Sequence, residues 1–247
     1  MPPFSSNNTP HLIAMGITSV IYALDETKFL KRRPKPNLLD DFAQKAFVIE
    51  INAYRRLGSH QRITMLLDVW DEGIIPERGN VHDKSSKAAQ GLSYVYERGI
   101  VQADVGCHNL TLTNSGIKAI DFAGSSIDGQ DALVCYDWCA ARPELSRSGM
   151  FPYLKSDILA LGSALFEIEL WKVPFADLLQ GQSLADVDVW ALSRAAEGRF
   201  ARREYPRKLE RLVLGNVIRG CWEGVYGSMR AVVSAIERVS EGLGWES

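Results

Sequence analysis

Gln102-Ala103-Asp104-Val105-Gly106-Cys107-His108-Asn109, then Asp121-Phe122-Ala123-Gly124, then Lys155-Ser156-Asp157-Ile158, is the run of sequence on which the fold turns. An aspartate five residues ahead of an asparagine, on a loop, can position a hydroxyl while the amide oxygen holds a metal. A second aspartate just beyond a strand hairpin can hold the other side of that metal. Amide and carboxylate oxygens suit a hard divalent ion, and this is the geometry that phosphoryl transfer from a nucleotide requires.

Around these motifs the chain is ordinary for a water-soluble enzyme. Its 247 residues are enough to bury a large core, and 46% hydrophobic with 23% charged residues fits a globular protein. A formal net charge of −2 argues against a dedicated nucleic-acid or anionic-membrane surface. No run of 18 apolar residues occurs; the longest, Ile158 to Leu170, is broken by Glu167 and Glu169. Residues 1–10 have Pro, Ser and Asn but no basic start and no apolar centre, so they read as a flexible N-terminus and not as a secretory signal. Cys107, Cys135, Cys139 and Cys221 do not suggest a disulfide framework, which points to a reducing, intracellular and cytoplasmic setting. With His108, Cys135 and Cys139 do not reproduce zinc spacing.

Two compositional halves meet near residue 80. Strand signals fill the first: His11 to Ala14, Val20 to Ala23 and Lys28 to Lys31, the last two joined by Leu24-Asp25-Glu26-Thr27, predict an antiparallel meander. One helix is predicted next, with Asn37 as N-cap, Asp40 and Asp41 in its first turn and Gly58 as its stop. Phe47, Ile51 and Tyr54 share one face of it, with Glu50 beside them. Strands over Ile63 to Trp70 and Gly73 to Ile75 complete the small sheet. The second half reads mostly as helix: Lys84 to Arg98, the stretch carrying Ile158, Leu161, Leu165 and Ile168, and that carrying Met229, Val232, Val233, Ile236 and Val239. Between them Leu110 to Thr113 and Ile117 to Ile120 flank Asn114-Ser115-Gly116 as a hairpin.

This order of elements and motifs resembles the protein kinase fold, over nearly the whole chain, and is most similar to single-domain kinase-like proteins of the type common in filamentous fungi. The resemblance implies an α+β bilobal fold over residues 11–242. A small antiparallel β-lobe with one helix would occupy about 11–77, and a larger, mainly helical lobe about 78–242. It implies that Lys31 contacts the ATP phosphates, that Glu50 holds the Lys31 ammonium, and that Asp104 orients the acceptor hydroxyl and takes its proton. Asn109 and Asp121 become the Mg²⁺ ligands, Asp157 the buried anchor of the loop backbone, and Glu77 the first residue of the hinge that meets the nucleotide. Gly16 and Ser19 fall in the loop that covers the phosphates. Cys221-Trp222 matches a pair common late in the helical lobe, and Arg142-Pro143-Glu144, with Arg230 as salt partner, is a weaker match to the end of the activation segment. Taken singly, Lys31 and Glu50 read more plainly as a strand-end lysine and a solvated helix glutamate. Asp104 with Asn109 read as a turn pair, and Asp157 as a helix cap. The order of Lys31, Glu50, Asp104, Asn109 and Asp121 favours the site, and the cap reading of Asp157 is compatible with it.

Departures from the pattern are several. Ala14, Gly16 and Ser19 stand where three glycines would let backbone amides approach phosphate, with the hydroxyls of Thr18 and Ser19 a partial substitute. Gln102-Ala103 replaces His-Arg, which removes a docking point for a phosphorylated activation segment. Gly106 takes the place of the lysine that steadies the γ-phosphate, and His108 falls where tyrosine kinases carry an arginine, though a solvated or packed histidine is the plainer reading. Ala123 replaces a glycine, Phe29 a small residue over the adenine, and Thr111 an apolar one beneath it. Only 24 residues separate Glu77 from Gln102, too few for the helix the family places after the hinge. The expected activity is ATP- and Mg²⁺-dependent phosphorylation of serine or threonine hydroxyls on a protein substrate. A pseudokinase that binds nucleotide or a partner without turnover is the alternative, and a small-molecule kinase the third. The basic run Arg199, Arg202, Arg203, Arg207, Lys208 and Arg211 reads as a solvated face, and Trp70 and Trp171 as core or interface residues.

Overall fold

The computed structural model describes residues 11–15, 18–25, 28–33, 40–70, 73–76, 85–113, 116–133, 137–140, 154–180 and 188–243. The N-terminal region is a five-stranded antiparallel sheet with one helix. Its strands are β1 (His11–Met15), β2 (Val20–Ala23), β3 (Phe29–Arg32), β4 (Leu66–Trp70) and β5 (Gly73–Pro76), in the spatial order β1-β2-β3-β5-β4. The β2–β3 hairpin sets Ile21 opposite Lys31, and β3 in turn sets Lys31 opposite Ile74. Lys31 is thus central to the sheet, and alternation along β3 sends Leu30 to the other face. Gly73 is needed for close approach: a Cβ there would lie 2.7 Å from the Lys31 carbonyl oxygen.

Helix α1 (Asp40–Leu57) is ended by Gly58, whose φ of 61° lets its N–H reach back to the Tyr54 carbonyl at 2.9 Å. The Asn37 N-cap expected for it lies outside the described residues. The inner face of α1 buries Ile51, Tyr54 and Leu57 with Ile63, Ile74, Val95, Ile100 and Phe122. That core draws residues from both halves of the chain, so α1 packs against the same atoms that support the motif loops. At its far end Arg56 makes two contacts to Asp128, 2.6 and 2.7 Å.

The C-terminal region is mainly helical: α2 (Ser85–Tyr96), α3 (Leu154–Leu170), α4 (Val189–Ala201), α5 (Gly215–Glu223) and α6 (Met229–Gly242). Its core is built on α3, where Ile158, Leu159, Leu161 and Leu165 are fully buried against Ile218, Leu209 and Val232. Gly162 lets α5 approach, since a Cβ there would meet the Cβ of Cys221 at 2.7 Å. Beside it Ser163 donates to the Cys139 carbonyl (2.9 Å) and accepts from the Trp222 indole (3.1 Å). Two small ribbons complete the lobe: β6 (Ile100–Val101) with β9 (Ser126–Ile127), and β7 (Leu110–Thr113) with β8 (Gly116–Ala119). The element order is that of a bilobal kinase fold.

The start of one strand is corrected. The fourth strand begins at Leu66 and not Ile63, because Ile63 bridges Ala119 and the Thr64 N–H bonds the Ala119 carbonyl at 3.1 Å. Trp171, expected in the core or at an interface, lies outside the core at 75% exposed. Arg230 bonds Glu97 at 2.7 Å, and Arg142 to Glu144 lie outside the described residues. Residues 77–84 are all that separate β5 from α2. No described helix is long and apolar enough to cross a membrane.

Candidate active site

Strand β3, helix α1 and the segment after β8 converge on one ammonium. Lys31 Nζ lies 2.9 Å from Glu50 Oε1 and 2.7 Å from Asp121 Oδ1, with Lys31 and Glu50 both buried. Helical spacing puts Glu50 and Tyr54 one turn apart on the same face. Glu50 meets Lys31, and Tyr54 meets the buried ring of Phe122 edge to face at 5.2 Å. Phe122 thereby anchors Asp121 from behind, and Asp121 holds an αL backbone, φ 57°, which aspartate tolerates better than most residues.

One cation between two carboxylates sets the electrostatics. Burial works against the Lys31 ammonium, but the charges and hydrogen bonds of Glu50 and Asp121 outweigh it and hold its pKa above the ordinary value. Burial likewise opposes charge on Asp121. There the Lys31 charge and hydrogen bond, with the Ala123 N–H, prevail and hold the carboxyl below its usual range. Glu50 takes the remainder: burial pushes it up to about 7, against the pull of Lys31 and with a further push from Asp121. The excess negative charge of the cluster thus bears most on Glu50, the more buried of the two carboxylates.

The loop of Asp104 forms the second half. Asn109 Nδ2 donates to the Asp104 carbonyl (2.8 Å) and to Asp104 Oδ2 (2.9 Å). With its nitrogen so engaged, the amide oxygen of Asn109 is the atom available to a cation. On Asp121, Lys31 and the Ala123 N–H both bind Oδ1, which leaves Oδ2 for the same purpose. Two oxygens fit an ion that takes its other ligands from phosphate and water. Among the described residues there is no group of three or more His, Cys, Asp or Glu side chains that would hold a metal alone.

The two halves meet at Ile120. Its N–H bonds the Asn109 carbonyl at 3.0 Å, and its carbonyl accepts from Gln102 Nε2 at 2.9 Å. Asp157, fully buried, accepts from the Gln102 N–H (3.0 Å), the Ala103 N–H (3.1 Å) and the Tyr96 hydroxyl. Ala103 is held at φ 67°. Ser125 adds a hydroxyl bond to the Gln102 carbonyl at 3.3 Å. Lys31 is therefore in direct contact with both Glu50 and Asp121, Asp104 is in direct contact with Asn109, and Ile120 pins the loop of the second group to the segment of the first. Ser19 and Thr18 line a pocket with Lys31, Glu50 and Ala123. Phe29, two residues before Lys31 on the same face of β3, is half-buried. Gly16 and Glu77 lie outside the described residues.

Sequence reasoning missed three supports: Gln102 as the clamp on Ile120, Tyr96 as a partner of Asp157, and the contact of His108 with Asp104. His108 Nε2 lies 3.3 Å from Asp104 Oδ1, and the ring is about half exposed. That hydrogen bond raises its pKa against the opposing effect of burial, with further help from the charges of Asp104, Asp137 and Asp121. The spacing of four between Asp104 and His108 was the available signal.

Comparison with curated proteins finds distant similarity to protein kinases. A probable protein kinase of Dictyostelium discoideum is 26% identical over 177 residues, covering 59% of this chain and 49% of that protein. The serine/threonine-protein kinase kin-29 of Caenorhabditis briggsae is 26% identical, covering 62% of this chain and 20% of its own length. A Wee1-like protein kinase of Oryza sativa subsp. japonica is 24% identical, covering 62% and 33%. The matched stretch thus spans half or less of these relatives. No family model matches the chain. The similarity supports a place in the protein kinase superfamily.

Proposed function

We propose that this protein is an ATP-dependent protein kinase that phosphorylates serine or threonine hydroxyls. The observation that carries the reading is Lys31 gripped at once by Glu50 and Asp121, 2.9 and 2.7 Å away, which ties the sheet, α1 and the segment after β8 to one point. In this reading Lys31 moves to the nucleotide phosphates while Glu50 fixes its ammonium, and Ser19 lies against the same pocket. Asp104 orients the acceptor hydroxyl and receives its proton. Asn109 and Asp121 would hold Mg²⁺, which neutralises charge on the transferred phosphoryl group. Catalysis would rest on positioning and charge stabilisation, with little covalent work by the protein.

The test is transfer of labelled phosphate from ATP and Mg²⁺ to a generic protein substrate, comparing the wild type with Asp104→Asn. Loss of a positioned general base should lower the rate by about a hundredfold or more. Equal label in both proteins would sink the catalytic claim. A pseudokinase is the second reading, favoured by the half-buried Phe29 where a small residue would lie over the adenine. Its signature is thermal stabilisation by ATP and Mg²⁺ without transfer.

A further inference from the structure

We propose that His108 is a positioning residue for Asp104, and that Gly106 is bare in order to give the imidazole room. This rests on the kinase reading, in which the Asp104 carboxylate must face an acceptor hydroxyl. Gly106 has φ −169° and ψ 168°, an extended backbone that any residue adopts. Conformational freedom therefore does not account for the glycine. Space does. A Cβ on Gly106 would lie 2.4 Å from His108 Cε1 and 2.7 Å from Nδ1, far inside contact distance. The ring occupies the volume in which a side chain at 106 would begin.

From that position His108 Nε2 reaches Asp104 Oδ1 at 3.3 Å, long for such a bond. A carboxylate accepts only, so Nε2 carries the hydrogen. Asn109 Nδ2 holds the other oxygen, Oδ2, at 2.9 Å. Rotation about the terminal torsion of an aspartate is soft and roughly two-fold, so one donor leaves the carboxylate plane free to rock. Two donors on separate oxygens fix it. The residue that looks like a loss in the loop, glycine for lysine, and the residue that looks incidental, His108, form one device. It aims the carboxylate in place of supplying a mobile charge.

Kinetics and nitrogen NMR on the full chain test this. His108→Ala should lower kcat about tenfold, the loss of one hydrogen bond to a charged group, with KM for ATP within about twofold of wild type. Gly106→Ala should do the same. The atoms it displaces belong to a flexible ring, so its melting temperature should match the wild type. Because Gly106 acts only through His108, the double variant should be no worse than His108→Ala. His108→Gln, which keeps an N–H donor at about the same reach, should recover most of the rate. In the wild type the His108 ¹⁵N resonances should report the Nε2–H tautomer, and Gly106→Ala should abolish that preference. Losses that multiply to about a hundredfold, a glutamine variant as slow as the alanine, or an Nδ1–H tautomer in the wild type would each overturn the proposal while leaving the kinase reading intact. A wild type with the Nε2–H signature but no phosphate transfer overturns the kinase reading, and with it the catalytic use of the contact.

Discussion

Asp157→Ala should be among the most damaging single changes outside the Lys31 cluster. The side chain is 0% exposed and accepts from the Gln102 N–H at 3.0 Å, the Ala103 N–H at 3.1 Å and the Tyr96 hydroxyl. Alanine leaves two buried backbone donors without a partner, at about 1–3 kcal/mol each. Ala103 offsets part of the loss. It sits at φ 67°, where a residue with a Cβ costs about 1–2 kcal/mol, and the Asp157 bond is one of the contacts that hold it there, so without that bond the loop relaxes and releases the strain. From about 4 kcal/mol for the two donors, the net cost is about 3 kcal/mol. For a chain of 247 residues each kcal/mol moves the melting temperature by about 2–4 °C, so a fall of about 6–12 °C follows. Asp157→Asn keeps one acceptor oxygen and should fall by about half as much. Circular dichroism melts of both variants, with urea titrations for the free energy, make the measurement. A melting temperature for Asp157→Ala within about 3 °C of wild type would refute the reasoning, since the two backbone donors would then not be buried without partners.

Two further outcomes follow from the buried contacts. The Glu50 carboxyl titrates at about 7 in the folded protein, above its ordinary 4.5. Its contribution to stability is therefore complete below about 4.5 and is lost as pH rises through about 7. Glu50→Gln has no proton to lose, so its stability relative to wild type should improve steadily over that window. Urea midpoints for the two proteins that keep a constant difference across it would contradict the assignment. Gly162→Ala drives a Cβ to 2.7 Å from Cys221 Cβ and 3.1 Å from Trp222 Cδ1. Overpacking of about 2 kcal/mol, reduced by about 1 kcal/mol of gained helix propensity, should lower the melting temperature by about 2–4 °C. An unchanged or raised value would show that α3 and α5 are not in rigid contact at that point.

The parts of the fold legible in sequence are those whose signal is local. Strand alternation marks β2 and β3, a 3.6-residue apolar period with a terminal glycine marks α1, and turn chemistry marks the β7–β8 hairpin. Elements defined by a distant partner carry no such signal. Strands β6 and β9 are two residues each and exist because Ile100 faces Ile127 and Val101 faces Ser126. Helix α5 was not assigned as a helix, and two of its nine residues, Gly215 and Gly220, are poor helix formers. Both glycines are tertiary necessities: a Cβ would lie 2.2 Å from the Leu209 carbonyl oxygen at the first and 2.7 Å from the Tyr226 ring at the second. Ile63 followed the strand pattern yet left the sheet to bridge Ala119 beneath the motif loops.

The candidate site divides along the same line. Lys31, Glu50, Asp104, Asn109 and Asp121 could be selected as candidates from order and spacing because each is a residue type that the proposed chemistry demands. What holds them is chosen by space and by hydrogen-bond accounting, and residue types there are interchangeable. Gln102 serves because an amide reaches the Ile120 carbonyl from that point, and Tyr96 because a hydroxyl reaches the Asp157 carboxylate. A pattern compared position by position registers Gln102 and Gly106 as defects. In three dimensions Gln102 closes a bond across the two halves of the site, and Gly106 vacates the volume that the His108 ring fills. A degenerate motif is therefore weak grounds for inactivity until the neighbours of each changed residue have been placed. An absent side chain is informative only when its volume is seen to be empty, and here it is occupied.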